Sequence, residues 1–459
     1  MSEIEREVHP SDMHYRDAIA KIEPYGIEHI PNEERHGKPS SQFYVWFSGN
    51  LGLAVLVLGF YPVYYGLSMP MALSAVLVGA LLGSIVMGAL SRMGNRLGVA
   101  QQIQARGPLG YFGNFLPVAY VNVFASIGWT TVNTVFGSWA LQALIDIPFW
   151  MAVSVLSLGQ FVVAMYGYNM IHAFNKVFTY LAGAIFLLVT VKAFQYADWD
   201  LAASPDASYF VSLPGGWITA TGVIFSYLVA WFPFASDYSR YLPSDDKTSR
   251  SAGIYTGLGN FLSVAWLAGT GALVASFAGS FGAIDAIKEI AGGAATIALI
   301  GVVLTTWTAN SLNIYGGAIS IQTLRVPVSR AVGVGIITAA AVGGALVVQS
   351  NIYGNYYNFI LLSAYFIIPY ATVVILDYYF GGKWDEKRIA DLYDPSRKFH
   401  FGFYAWIIGV IAAIPFWTST IYTGVVAKSS PEWGDLTYVV AAVATIVAYL
   451  VLSRRKSHS

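Results

Sequence analysis

Three threonines, two asparagines and a serine fall within nine residues, Thr305 to Asn313, of the stretch TTWTANSLNIYGG (305–317). The residues around this stretch are apolar enough to sit in lipid. There, each hydrogen-bonding group left without a partner costs several kcal/mol. On a helical wheel Thr306, Asn310 and Asn313 share one face at spacings of four and three. Thr308, Ser311 and Tyr315 lie roughly opposite, so no wide lipid-facing side remains and protein is expected all round. The hydroxyls of Thr306 and Ser311 suit hydrogen bonds to neighbouring helices. An asparagine brings a wide amide that needs several partners, and Asn310 is expected to meet a ligand.

A complement lies in SIGWTTVNTVFG (126–137). Gly128 leaves room beside Trp129, whose indole sits deep in an apolar run and offers a flat wall. An aromatic wall facing amides suits a planar, neutral, hydrogen-bonding ring. Two other stretches weaken helices inside apolar runs. In WFSGNLG (46–52), Gly49 and Gly52 flank Asn50; in SYLVAWFPFAS (226–236), Pro233 removes an N–H and frees a carbonyl. Enzymatic chemistry has no visible seat. The sequence has no Walker-type phosphate loop and no cysteine, and its seven histidines show no metal-ligand spacing. An enzyme is therefore the least expected reading, and uphill transport would have to be coupled to an ion.

The elements that must position these groups follow from composition. Hydrophobic residues make up 56 % of the 459 and charged residues 11 %, about half the charge of an ordinary soluble domain. Apolar runs near 20 residues predict an all-α polytopic membrane protein. Twelve spans are expected, at 43–66, 69–92, 113–144, 148–168, 173–196, 217–241, 253–278, 295–322, 328–349, 355–380, 403–425 and 435–453. With the N-terminus inside, the inner segments carry 22 Lys and Arg and the outer ones only Lys192, Lys288 and Lys428. This imbalance predicts that both termini are cytoplasmic. Residues 1–41 then form a polar inner tail, expected to be a solvated leader, with a gating or regulatory role left open; residues 454–459 form a second tail. The weakened runs lie five spans apart. That odd offset predicts two repeats of opposite topology, 42–196 and 217–380, followed by two further spans within 403–453. All 25 Asp and Glu fall in tails, loops or helix ends. An intramembrane charge, the usual mark of a proton relay or charged solute, is missing, so the solute is expected to be neutral.

The stretch ASDYSRYLP (235–243), with TTWTANSLNIYGGAISIQ (305–322), WFSGN (46–50) and YFIIPYATVVILDYYF (365–380), resembles nucleobase–cation symporter family 1, the purine/cytosine permeases. The likeness runs from about Gln42 to Arg454. It implies the leucine-transporter fold, with ten core helices in a 5+5 inverted repeat, two extra C-terminal helices and alternating access in a plasma membrane. It also implies that a base stacks on Trp129, that Tyr227, preceded by Ser226, closes the other face, and that Asn310 binds the base edge. Asn50 and Asn313 are further substrate-binding candidates. So is Ser126, which stands where cytosine-selective members carry glutamine. A sodium ion would sit between the carbonyls of Gly49 and Gly52 and the hydroxyls of Thr305 and Thr308. At Ala309, however, sodium-dependent relatives carry a second hydroxyl, so H+ stays open beside Na+. Asp237 and Arg240 are candidates for an inner gate or ion pair. The implied activity is import of a neutral nucleobase such as cytosine, adenine or hypoxanthine, with no cofactor, no nucleic acid and no obligatory protein partner. Alternatives are a same-fold carrier of an allantoin- or hydantoin-like ring, a thiamine precursor or an amino acid. A passive facilitator is disfavoured, because matched helix breaks suit a gated central site more than a continuous pore.

Overall fold

The computed structural model describes residues 19–204, 212–278, 282–381 and 386–456. The first 18 residues of the expected tail, 205–211, 279–281, 382–385 and the last three residues lie outside it. Among the described residues the fold is helical. Nine helices are long and apolar enough to cross a membrane, or ten if one bent pair counts as a single span. The bent pair is α1 (Ser41–Gly49) and α2 (Leu53–Tyr64), set at 64° to each other. They are followed by α3 (Met69–Leu97), α4 (Phe115–Leu144), α5 (Phe149–Tyr166), α6 (Tyr168–Tyr196), α7 (Leu213–Val229) and α8 (Asp246–Ala278). Then come the short α9 (Ala283–Ala291), α10 (Ala295–Thr323), α11 (Arg330–Val348), α12 (Ile352–Phe380), α13 (Phe401–Ala413) and α14 (Thr437–Lys456). The run Arg330–Phe380 is helical over 51 residues. It would reach about 75 Å if straight, more than twice the hydrocarbon thickness. A 3₁₀ turn at Gln349–Asn351 divides it into α11 and α12.

Two of the expected spans differ from their reading. The sixth, expected over 217–241, is α-helical only to Val229; Phe232–Phe234 form a 3₁₀ turn and 235–241 continue as successive turns. Pro233 cannot donate to an α-helical ladder, and the chain does not recover one. The eleventh, expected to 425, ends at Phe416, where the chain turns back through a bridge between Thr418 and Thr423. The weakened first span breaks where the sequence places it. Asn50 closes α1 by donating from Nδ2 to the Trp46 carbonyl at 2.7 Å, and Gly52 starts α2 in an extended conformation.

The helices pack as two groups. In one, α3 lies against α7 and α8, and α8 against α1 and α2; in the other, α10 lies against α4, α5 and α11, with α6 touching both groups. Within the first group two glycines allow the closest approach. A Cβ on Gly59 would stand 1.8 Å from the Ala268 carbonyl oxygen, and one on Gly271 1.8 Å from that of Leu56. Small residues let backbones approach where lipid provides no hydrophobic drive between helices. α9 is amphipathic, burying Ala283, Ala286, Ile287 and Ile290 at helical spacing.

The N-terminal segment is not a solvated leader over its described part. From residue 19 it runs across the ends of the helices, and Glu23, Ile30 and Arg35 are buried. The Ile30 amide donates to the Gly98 carbonyl, the Tyr393 hydroxyl to the Ile27 carbonyl, and the Glu23 amide to the Tyr166 carbonyl. The segments that charge counting assigned to one side thus meet at one end of the bundle. Gly271→Ala is expected to lower the stability of the detergent-solubilised protein by about 1–3 kcal/mol, the usual penalty for overpacking. A thermal-unfolding scan reads this as a reduced midpoint. Gly183→Ala, whose Cβ would meet nothing within 4 Å, should leave the midpoint unchanged.

Candidate functional site

The break between α1 and α2 opens onto α4, α7 and α10. There, Gly49, Gly52, Leu53, Ala54, Val55, Asn133, Phe136, Tyr227, Thr305, Thr306 and Ala309 line a small enclosed cavity. The volume open to the centre of a water molecule is about 10 Å³, room for one water. Every lining side chain is uncharged. Trp129 is 3 % exposed and stands beside this cavity. Its ring meets Tyr227 edge-on, with centroids 5.3 Å apart and planes at 88°; Tyr356 and Phe359 also contact it, at 5.8 and 5.3 Å. The structure therefore brings together the two aromatics expected to face one ring. They touch each other here, whereas a flat ring held between them needs about 7 Å, two van der Waals contacts. The indole Nε1 of Trp129 is buried and has no hydrogen-bond partner among the described residues.

Asn310 is not placed as a ligand contact. Its Nδ2 lies 3.1 Å from the Thr130 carbonyl, 3.1 Å from Thr134 Oγ1 and 2.8 Å from Gln160 Oε1. Its Oδ1 accepts from Asn133 Nδ2 at 3.0 Å. The amide is spent tying α10 to α4 and α5, the only way a buried amide in lipid keeps its hydrogen bonds. Asn133 lines the cavity in its stead, one helical turn beyond Trp129 and on the same face. The sequence signal for Asn133 is an amide at i+4 from a buried tryptophan, and it is not among the sequence-based candidates.

The other substrate candidates turn mostly toward protein. Asn50 is a junction. Its Nδ2 reaches Asn260 Oδ1 at 2.9 Å and Ser263 Oγ at 3.2 Å, and its Oδ1 accepts from the Tyr227 hydroxyl at 3.0 Å and Trp231 Nε1 at 3.1 Å. It therefore orients Tyr227 rather than facing the cavity. Asn313 donates back to the Ala309 carbonyl at 3.3 Å, and Ser226 to the Gly222 carbonyl at 2.6 Å. Ser126 packs on Gly317, away from the cavity, its hydroxyl buried without a partner. The stretch Thr305–Ile321 is buried along its length except for Trp307, which is partly covered; α10 is surrounded by protein.

Three of the four candidate cation ligands meet at one cavity. Gly49, Gly52 and Thr305 line the same cavity, and the Thr308 hydroxyl lies 3.0 Å from the Ser48 carbonyl. That carbonyl, which also accepts from the Leu51 amide at 3.1 Å, was not among the candidates. The Thr305 hydroxyl lies 2.9 Å from the Gly301 carbonyl and keeps lone pairs for other contacts. Carbonyl and hydroxyl oxygens are ligands for a hard cation, and Ala309, on the same wall, supplies none. Among the described residues no three His, Asp or Glu are grouped to hold a metal ion.

The expected Asp237–Arg240 pair is not formed. Asp237 accepts from the Gln101 amide at 2.8 Å and from Gln102 Nε2 at 3.4 Å. Arg240 instead reaches Glu23 of the N-terminal segment at 3.0 Å, both side chains fully buried. Successive turns after Pro233 aim the two residues in different directions.

Comparison with known proteins agrees with this architecture. Residues 29–441 match the family model described as a permease for cytosine/purines, uracil, thiamine and allantoin. A putative purine-cytosine permease of Bacillus subtilis (strain 168) is 31 % identical over 447 residues, covering 95 % of this chain and 96 % of that protein. A purine-cytosine permease of Emericella nidulans is 24 % identical over 466 residues, covering 95 % and 89 %. Among solved structures, Mhp1, a nucleobase-cation-symport-1 family transporter in a closed conformation with bromovinylhydantoin bound, superposes with a TM-score of 0.74. The identity is 19 %, over 95 % of this chain and 96 % of that one. The broken first span, the uncharged cavity beside it and these matches lead to one conclusion: the chain belongs to the cytosine/purine, uracil, thiamine and allantoin permease family and is a multi-pass membrane transporter, not an enzyme.

Proposed function

We propose that this permease is a symporter that imports a neutral nucleobase or a related planar heterocycle, driven by a Na+ or H+ gradient. The carrying observation is that Tyr227 and the Asn133 amide line a cavity without a charged side chain at the broken first span, with Trp129 packed edge-on against Tyr227. The family description, which names cytosine, purines, uracil, thiamine and allantoin, supports the same class of solute. In this reading twelve crossings form two inverted five-span repeats, 42–196 and 217–380, plus two spans within 403–453. Both termini face the cytoplasm across a plasma membrane.

The residues divide the work by chemistry. Trp129 and Tyr227 part to accept the ring, whose faces gain stacking while its edges need donors and acceptors. Asn133 offers both, and the free indole N–H of Trp129 adds a donor. Asn310 acts behind Asn133, holding its amide in one orientation. Asn50 does the same for Tyr227. An amino-acid carrier would leave the aromatic wall unused.

Uptake of labelled cytosine, adenine, hypoxanthine, uracil and allantoin into proteoliposomes, with and without sodium or proton gradients, tests the reading. Trp129→Ala should weaken transport of the accepted ring by about 5- to 150-fold, the worth of one stacked base. Asn133→Ala should weaken it about tenfold and alter competition among rings that differ in exocyclic groups. If both variants carry every ring as well as the parent does, the site is elsewhere.

Ala309→Ser adds a hydroxyl facing the break. Uptake in this variant should gain sodium dependence, or reach half its maximal rate at lower sodium than the parent. An unchanged sodium response over the same titration would remove the cation from this cavity.

A further inference from the structure

The most heavily engaged carboxylate in the described protein is outside the transport cavity. Glu23 Oε1 accepts from Arg240 Nη2 at 3.0 Å and from the hydroxyls of Tyr241 and Tyr315, the latter at 2.9 Å. Its Oε2 accepts from the Tyr168 amide at 3.0 Å and lies 3.9 Å from Arg330 Nε. Gly167 makes that reach possible. It adopts φ +85°, and a Cβ there would stand 2.4 Å from Oε2. The carboxylate thereby caps the start of α6, where unpaired amides favour negative charge. The backbone around it is engaged too: Arg240 Nη1 donates to the Gly26 carbonyl at 2.6 Å and Arg330 Nη2 approaches that of Glu23 at 3.4 Å.

These partners belong to different helix groups. Arg240 and Tyr241 follow α7, in the group with α1, α3 and α8. Tyr315 is on α10 and Arg330 opens α11, in the other group. One buried carboxylate, carried on a terminal segment, joins both groups at the same end of the bundle. Breaking a buried charged pair by removing one partner leaves the other charges uncompensated. Here two guanidiniums would face each other across the group boundary.

We propose that residues 19–36 are the latch of the cytoplasmic gate, with Glu23 as the group that bolts the two helix groups together while that side is closed. Solute leaves toward the cytoplasm only after Glu23 is withdrawn from Arg240 and Arg330. This rests on the transporter reading and on the inside placement of the termini. It gives the acidic tail a role that a solvated leader lacks, and it replaces the expected Asp237–Arg240 gate.

The absence of cysteine from the sequence makes the test direct, because one introduced thiol is the sole labelling site. Ser320 is buried on α10, where Gln102 Nε2 donates to its hydroxyl at 3.3 Å, on the inner side of the cavity. Thr445, equally buried, lies on α14 against Gly409 of α13, away from the group boundary. Maleimide labelling of Ser320→Cys and Thr445→Cys is compared in inside-out membrane vesicles, with and without E23Q. E23Q should raise the labelling rate at position 320 about tenfold or more, the effect of losing a charge-assisted hydrogen-bond set, and leave position 445 protected. E23A should raise position 320 at least as far. An unchanged rate at 320 in both variants overturns the latch. A parallel rise at both positions also overturns it, since that would mean general loosening of the fold. Labelling needs no substrate, so the outcome stands apart from which ring, if any, is carried.

Discussion

The structure depends on a constraint that lipid imposes: every polar group exposed by interrupting a helix must find its partner inside the protein. The first span is interrupted at Asn50–Gly52, and the consequences spread from there. The Ser48 carbonyl, at the end of α1, accepts from the Leu51 amide and from the Thr308 hydroxyl on α10. The Asn50 amide closes α1, binds Asn260 and Ser263 on α8, and holds Tyr227 and Trp231 from the other broken span. These bonds fasten the two breaks to each other and to both helix groups. The cavity exists because carbonyls and hydroxyls are gathered there for structural reasons, and the same oxygens can serve a cation or a ring.

A second consequence is the division into two packed groups. Close glycine contacts weld α2 to α8, and the Asn310 amide welds α10 to α4 and α5. Between the groups the contacts are more mixed: single hydroxyl–carbonyl bonds, edge-on aromatic rings, side chains seated on Gly49 and Gly316 and, at one end, an ion cluster centred on Glu23. Bonds of this sort can be exchanged one at a time, whereas interlocked backbones cannot slide without loss of packing.

Much of this architecture was legible in the residues. The apolar runs marked the spans because only continuous helices satisfy their own backbone in hydrocarbon, and Gly49, Gly52 and Pro233 marked the breaks because they cannot sustain such a helix. The cavity was legible in part: Trp129 stood out by its type, whereas Tyr227, Gly49, Gly52 and Thr305 were named through the family resemblance; the latter four line the cavity and Trp129 packs on Tyr227. Asn310 and Asn133 show where reading by type fails. Both are amides on buried faces, and only the neighbours decide which is consumed by Thr130, Thr134 and Gln160 and which is left toward the cavity. The sixth span shows another limit, since Pro233 announces a break but not whether an α-helix resumes after it.

The sequence by itself determined the class of protein and the positions of the interruptions. Those properties follow from local chemistry and from the solvent in which each segment must sit. Tertiary structure alone decided the partners. Arg240 turned from Asp237, three residues away, to Glu23, more than two hundred residues earlier in the chain. A charge buried out of water takes the partner that geometry brings within reach, and that distance is set by how the apolar helices pack, not by their order.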